Sequence, residues 1–264
     1  MKLGFIGCGN MANAMLGGII KNSIIASKDI ISSDLNQVSL ELAKETLGIR
    51  VTKDNKEVVA QSDIIVLSIK PQFYSSVINE IKDLIKDNQI IITIAPGQTL
   101  EGLKTAFGRD LKIVRTMPNT PALVGEGITA MCYNNNVTEK DAEKVASILA
   151  GFGKVEVVDE NLMDAVVGVS GSSPAYVFMF IEALADGAVA AGMPRSKAYT
   201  FAAQAVLGSA KMVLESGKHP GELKDMVCSP AGTTIEAVRV LEKEGFRSSV
   251  MEAVKACIDK AKTI

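Results

Sequence analysis

Histidine is almost missing from this chain of 264 residues; His219 is the only one. A zinc site is therefore poorly supplied, and no metal is expected. The commonest general base is also nearly absent, since His219 precedes Pro220 in what reads as an exposed turn. Positive charge is not in excess: 28 Lys and Arg face 30 Asp and Glu, for a net charge of -2, and no basic tract stands out. Nucleic acid is not an expected partner, because phosphate-driven affinity needs clustered positive charge. The four cysteines, Cys8, Cys132, Cys228 and Cys257, are far apart and form no C-x-x-C pair. They are expected to be free thiols in a reducing cytoplasm. Uninterrupted apolar runs of membrane length are lacking too. The most apolar segment, Tyr176 to Met193, carries Glu182 and Asp186 in its middle, which argues against a bilayer-spanning helix. The stretch after Lys2 is broken by Asn10 and Asn13 and ends in no cleavage site, so it does not read as a signal peptide.

What is present fits a globular protein of two domains: 47% hydrophobic residues and 22% charged ones. Residues 1–160 alternate short apolar runs with helix-period segments. The runs are Lys2 to Ile6, Ile30 to Ser32, Ile64 to Leu67, Ile90 to Ile94 and Ile113-Val114, with further ones near Ile128 to Met131 and Val155 to Val158. Strands apolar on both faces belong in a buried parallel sheet, and their alternation with helices over 35–47 and 71–85 predicts a doubly wound α/β domain of Rossmann type. Residues 161–264 show no strand signal. Helices are predicted over 174–191, 194–216 and 246–264, with Pro174 and Pro194 as first-turn residues. The first of these is apolar almost all round, so it must be covered, either in an internal core or in a subunit interface.

The first strand runs into Gly7-Cys8-Gly9-Asn10-Met11-Ala12 and then a helix. This is G-x-G-x-x-A in the place of a dinucleotide fingerprint. Gly7 allows a sharp turn, Gly9 lets backbone approach a pyrophosphate, and Ala12 lets helix pack on strand. The helix N-terminus supplies free N–H groups to the anion. The second strand ends in Ser32-Ser33-Asp34. Asp34 either accepts from an adenosine ribose or caps the helix that follows. Alternatively the two serines donate to the extra phosphate of NADP, helped by Lys53, Asn55 and Lys56 in the next turn, although no Arg follows immediately.

Later strands end in Ser68-Ile69-Lys70-Pro71 and Ala95-Pro96-Gly97, where open α/β sheets hold ligands. Lys70 faces either a ligand or solvent. In Pro118-Asn119-Thr120-Pro121, two prolines stiffen a loop whose Asn119 amide either binds a nicotinamide or bonds its own turn. Ser170-Gly171-Ser172-Ser173-Pro174-Ala175-Tyr176 reads as a polar helix start, with Ser173 a simple N-cap on the alternative view. In Cys228-Ser229-Pro230-Ala231-Gly232-Thr233-Thr234 small residues precede another helix start, which suits a carboxylate or is merely a turn capped by threonine.

Together these segments resemble the pyrroline-5-carboxylate reductase family over essentially the whole chain. The 228–234 stretch is the specific match, and Ser173 stands where the family commonly has glycine. The resemblance implies a Rossmann domain followed by an all-α helical dimerisation domain, interlocked with a partner's, with larger rings of dimers in some members. It implies an active site where the cofactor domain of one subunit meets the partner's helices, and hydride transfer from NADPH, with NADH also accepted, to a cyclic imine. Substrate is expected at Ser229, Ala231, Gly232, Thr233 and Thr234, with Thr234 on the ring nitrogen and either Tyr176 or a water as a proton relay. The cofactor is expected at Gly7, Gly9, Asn10, Met11, Ala12, Ser32, Ser33, Asn55, Ser68, Lys70, Pro71, Ala95 and Asn119. A β-hydroxyacid dehydrogenase shares the two-domain plan but uses a lysine in the long helix, and none lies between Gly171 and Ser196.

Overall fold

Most of the short apolar runs become strands covered on both faces, while the run near Val155 to Val158 forms a largely exposed strand. The computed structural model describes residues 1–263. β1 (Leu3–Ile6) is wholly buried and leads through the glycine turn into α1 (Asn10–Lys21). There follow β2 (Ile30–Ser33), α2 (Gln37–Leu47), β3 (Arg50–Thr52), α3 (Asn55–Gln61), β4 (Ile64–Leu67) and α4 (Tyr74–Ile81). β5 (Ile90–Thr93), α5 (Leu100–Phe107), β6 (Lys112–Met117), β7 (Gly127–Tyr133), α6 (Glu139–Leu149) and β8 (Gly153–Val157) complete the sheet region. The strand order is β3-β2-β1-β4-β5-β6-β7-β8. The chain winds outward from β1 in both directions, so the switch point lies between β1 and β4. β3 to β6 are parallel; β7 runs antiparallel to β6, and β8 parallels β7. One core holds Leu3, Phe5, Leu16, Ile19 and Phe152, and the other holds Ile6, Ile65, Ile91, Ile113 and Phe107.

Beyond Gly153–Val157 the structure is helical, as expected. α7 (Met163–Val166) passes through a π turn, Val167–Gly171, to α8 (Ser173–Ala190). α9 (Arg195–Ser216), α10 (Pro220–Val227), α11 (Thr233–Lys243) and α12 (Phe246–Ala261) follow. Compact units divide the chain into Met1–Ser172 plus the end from Cys257, and Ser173–Ala256. The change from strand to helix signal in the sequence places this division at 160.

Local chemistry explains where elements start. α2 begins two residues later than expected because Asn36, not Asp34, caps it by accepting from the Val38 N–H. The long helix expected over 71–85 shortens to α4 between single 3-10 turns. Pro194 is the N-cap of α9, one place before its first turn.

Of the described side chains on α8, only Ala185 is buried; it packs with Ala198 and Ala202 of α9. Phe178 is 64% exposed and Met179 68%. The apolar girdle is thus not the internal core of a single chain.

Asp141 and Thr138 form a capping box at the head of α6, and Lys112 Nζ donates to Asp141 Oδ2 at 2.7 Å. The Lys112 ammonium holds the Asp141 carboxyl below its ordinary value, against the effect of burial, and the Thr138 hydroxyl and N–H assist. A depressed pKa contributes stability above the unfolded value and loses it as pH falls through the folded one. Asp141→Asn should cost about 0.5–2 kcal/mol at neutral pH. The difference should shrink as pH drops below the ordinary 3.8. Urea melts at neutral pH and at acid pH measure it; a difference that ignores pH would refute the pairing.

Candidate active site

The carboxyl ends of β1, β2 and β4 open on a crevice of about 600 Å³ lined by Gly7, Gly9, Ser33, Asn55, Ser68 and Lys70 among others. Its floor is the glycine turn. Gly7 has φ +101°, and a Cβ there would lie 2.4 Å from the Ser68 carbonyl oxygen. The Ser68 hydroxyl donates to the Gly7 carbonyl at 2.7 Å, and the Gly7 N–H donates to the Ser33 carbonyl at 2.8 Å. Asn13 Nδ2 donates to the Cys8 and Gly9 carbonyls. Gly9 is different: beyond its own chain neighbours, no described atom lies within 4 Å of the place its Cβ would occupy. It is also the N-cap of α1, and no described side chain caps that helix start. The N–H groups of the first turn are left for an anion, beside a surface that a bulky side chain would fill. This is the fit a dinucleotide pyrophosphate needs.

Asp34 has a role the sequence did not suggest. Its carboxylate accepts from the Cys8 N–H at 2.7 Å and the Asn36 N–H at 2.8 Å, so it braces the turn. Ser33 Oγ donates to Asn55 Oδ1 at 2.7 Å, and Asn55 Nδ2 donates to Glu80. Ser32 lies fully buried, its hydroxyl without a partner among the described residues. Ala12 is buried under the turn, while Asn10 is exposed and Met11 half-buried at the head of α1. Pro71 borders a separate hollow with Gln72, Pro96 and Gln98. Ala95 is buried at the end of β5. Nearby, the Tyr74 hydroxyl donates to the Leu67 carbonyl at 2.9 Å and meets Thr93 Oγ1 at 2.6 Å; burial pushes its pKa up to about 12. Asn119 is buried with both ends engaged: Oδ1 accepts from the Ile128 N–H at 2.9 Å, and Nδ2 donates to the Ser170 carbonyl at 3.1 Å. The sequence reading missed Leu35, Asn36, Ser39, Phe73 and Val77, which also line the crevice. Their signal was position, since all follow the carboxyl end of a strand.

In the helical unit, the turn before α11 is held by the Gly232 N–H donating to the Ser229 carbonyl at 3.0 Å. A Cβ on Gly232 would fall 2.3 Å from Ser229 Oγ. Ala231 has φ +53° and, with Ser23, is one of two non-glycine residues in that region among the described residues. Such strain costs about 1–3 kcal/mol and collects at functional sites. Gly232 is the N-cap of α11, and no described side chain caps it. The threonine-capped turn considered from sequence is therefore not what forms: Thr233 and Thr234 are already helical, with Thr234 half-buried. Tyr176 is half-buried in the first turn of α8. Ser173 has no positive φ, so serine in place of glycine brings no left-handed strain. His219 caps α10, its Nδ1 accepting from the Gly221 N–H at 3.0 Å.

A Rossmann sheet with an uncapped glycine turn, joined to a helical unit, defines an NAD(P)-dependent oxidoreductase. A family model described as pyrroline-5-carboxylate reductase dimerisation matches residues 160–264, and one described as NADP oxidoreductase, coenzyme F420-dependent, matches residues 2–97. The chain belongs to the pyrroline-5-carboxylate reductase family. It is 51% identical to the pyrroline-5-carboxylate reductase of Escherichia coli, over 100% of this chain and 98% of that one. It is 42% identical to that of Arabidopsis thaliana, over 100% and 95% of the two chains. The solved structure of Plasmodium falciparum pyrroline carboxylate reductase with NADP bound matches with a TM-score of 0.92 and 35% identity, over 100% of this chain and 97% of that one. The stretch Glu160–Ala190 is, by length and composition, apolar enough to cross a membrane. In this family the same residues fall within the dimerisation region.

Gly9→Val adds a branched side chain where a phosphate would lie, with no described atom in its way. The fold should survive, with the melting temperature nearly unchanged, while NADPH affinity falls at least tenfold, about 1.4 kcal/mol or more. Fluorescence titration with NADPH measures it; wild-type affinity would refute the placement.

Proposed function

We propose that this chain reduces 1-pyrroline-5-carboxylate to L-proline, the last step of proline synthesis, with NADPH as donor and NADH also accepted. The observation that carries the reading is the loop Cys228 to Thr234. It follows the family's C-terminal signature, and its backbone is strained at Ala231, where a small anionic substrate needs close approach. Bound NADPH supplies a hydride from its nicotinamide C4 to C5 of the imine ring.

The chain's own part is binding and aim. Gly7, Gly9 and the N–H groups of Asn10 and Met11 would hold the pyrophosphate, with Ala12 keeping α1 close. Ser33 and Asn55 would take the adenosine phosphate, next to the buried Ser32. Ser68, Lys70, Pro71 and Ala95 would follow the nicotinamide half along the ends of β4 and β5. The backbone N–H groups of Gly232 and Thr233, beside Ser229 and Ala231, would bind the substrate carboxylate. The Thr234 hydroxyl would accept from the iminium N–H, and Tyr176 would relay a proton from solvent to the ring nitrogen. A protonated imine is already electrophilic, so placing donor and acceptor in contact supplies much of the barrier reduction. The near-absence of histidine fits such a site.

The dimer is proposed to be interlocked, with further assembly into rings. Support comes from the uncovered apolar side chains of the helical unit, among them Phe178, Met179, Phe201, Leu214 and Met251. The four thiols are free, which supports a reducing cytoplasm as the place of work.

Addition of pyrroline-5-carboxylate to protein and NADPH should oxidise the cofactor and yield proline; folded, NADPH-binding protein without turnover would sink the reading. Thr234→Val keeps the shape and removes the hydroxyl. Catalytic efficiency should fall on the order of ten- to a hundredfold, with NADPH affinity hardly changed. Full activity in that variant would remove Thr234 from the site. Phe178→Glu places a charge on the apolar face of α8. Sedimentation should show loss of the dimer, and activity should vanish with it; an active monomer would contradict the need for assembly.

A further inference from the structure

We propose that Asn119 is a positioning residue, which acts on the reaction by holding the π turn Val167–Gly171 at the carboxyl edge of the sheet and does not itself bind the cofactor. The proposal rests on the reduction reading above. Three independent observations carry it.

The first is an acceptor that has lost its α-helical donor. In a continued α-helix the Ser170 carbonyl would accept from the N–H four residues on, but that residue is Pro174, which has none. Asn119 Nδ2 supplies a donor at 3.1 Å, from 51 residues away. The other end of the same amide accepts from the Ile128 N–H at 2.9 Å. Asn119 is 8% exposed, and its side chain is committed to protein on both sides.

The second is the backbone itself. The Ser172 N–H donates to the Val167 carbonyl at 2.9 Å, the wide spacing of a π turn. Such turns are rare and frequently mark functional sites. Here the turn interrupts an otherwise helical run and carries Ser170 and Gly171, with Ser172 as its C-cap.

The third is placement. A dinucleotide whose pyrophosphate lies on the β1 turn extends its nicotinamide half over the ends of β4, β5 and β6. The π turn lies at the end of β6: a Cβ on Gly171 would meet Met117 Sδ at 3.6 Å. β6 also holds the segment leading into the turn. Arg115 Nη1 donates to Glu160 Oε1 at 3.0 Å, and its Nη2 lies 3.7 Å from Asp164 Oδ1. One strand and its loop thus fasten residues 160–170 at three points, with Asn119 holding the last of them at Ser170. Loss of that point lets the turn relax toward other geometries, and misplacement by an ångström is costly to a reaction driven by proximity.

Two variants test this. Asn119→Asp keeps the acceptor for Ile128 and loses the donor to Ser170; Asn119→Ala loses both. Turnover is measured per NADPH-binding site, so that loss of folded protein does not count. The expected result is NADPH affinity within about threefold of wild type and kcat per site lower on the order of ten- to a hundredfold in both. NADPH affinity weakened tenfold or more, about 1.4 kcal/mol, would mean a direct cofactor contact and overturn the proposal. Unchanged kcat per site would make the bond merely structural, and failure of both variants to fold would make it a requirement of the fold; either result also overturns it. Wild-type protein that binds NADPH but does not reduce pyrroline-5-carboxylate would instead defeat the reduction reading.

Discussion

The crevice depends on one close approach: the backbone of Gly7 against the carbonyl of Ser68. No side chain fits there, and the φ of +101° is one that only glycine adopts without strain. Because the strands β1 and β4 meet so closely, the Ser68 hydroxyl reaches the Gly7 carbonyl, and the turn beyond it points its free N–H groups outward. Asp34 then fixes the turn from the other side through the Cys8 N–H. A carboxylate so used has both oxygens committed to backbone donors, and its charge strengthens those bonds. The anion site is thus built from backbone, held by three short polar side chains: Ser68, Asn13 and Asp34.

The helical unit is organised by a different constraint. α8 is too apolar for water, yet within one chain it and α9 bury little beyond Ala185, Ala198 and Ala202. Small residues at that contact let α8 and α9 approach closely and leave the large side chains facing outward. A face of this size and composition calls for a partner, and the family's dimerisation region is where it lies.

The sheet was legible because parallel strands covered on both faces leave continuous apolar runs, as at Ile64 to Leu67 and Ile90 to Ile92. β3 was not, since Arg50–Thr52 is short, partly exposed and at an edge. α3 and α5 are short, and α6 combines a polar face with buried positions; their clearest signals are the caps Asp54, Thr99 and Thr138, single residues in a sequence full of such residues. The glycine turn could be read because each glycine answers a separate steric need. The partners of Asp34 and Asn119 could not, because their bonds join residues 26 and 51 positions apart. The strain at Ala231 was likewise invisible, since alanine carries no mark of an unusual φ.

Hydride delivery from this crevice to a carbon of the cyclic imine can be followed with NADPH carrying deuterium at the transferred position of C4 and unlabelled pyrroline-5-carboxylate. Mass and NMR spectra of the product should show one deuterium per proline, bonded to C5. Proline formed without deuterium, or labelled at another carbon, would contradict the account.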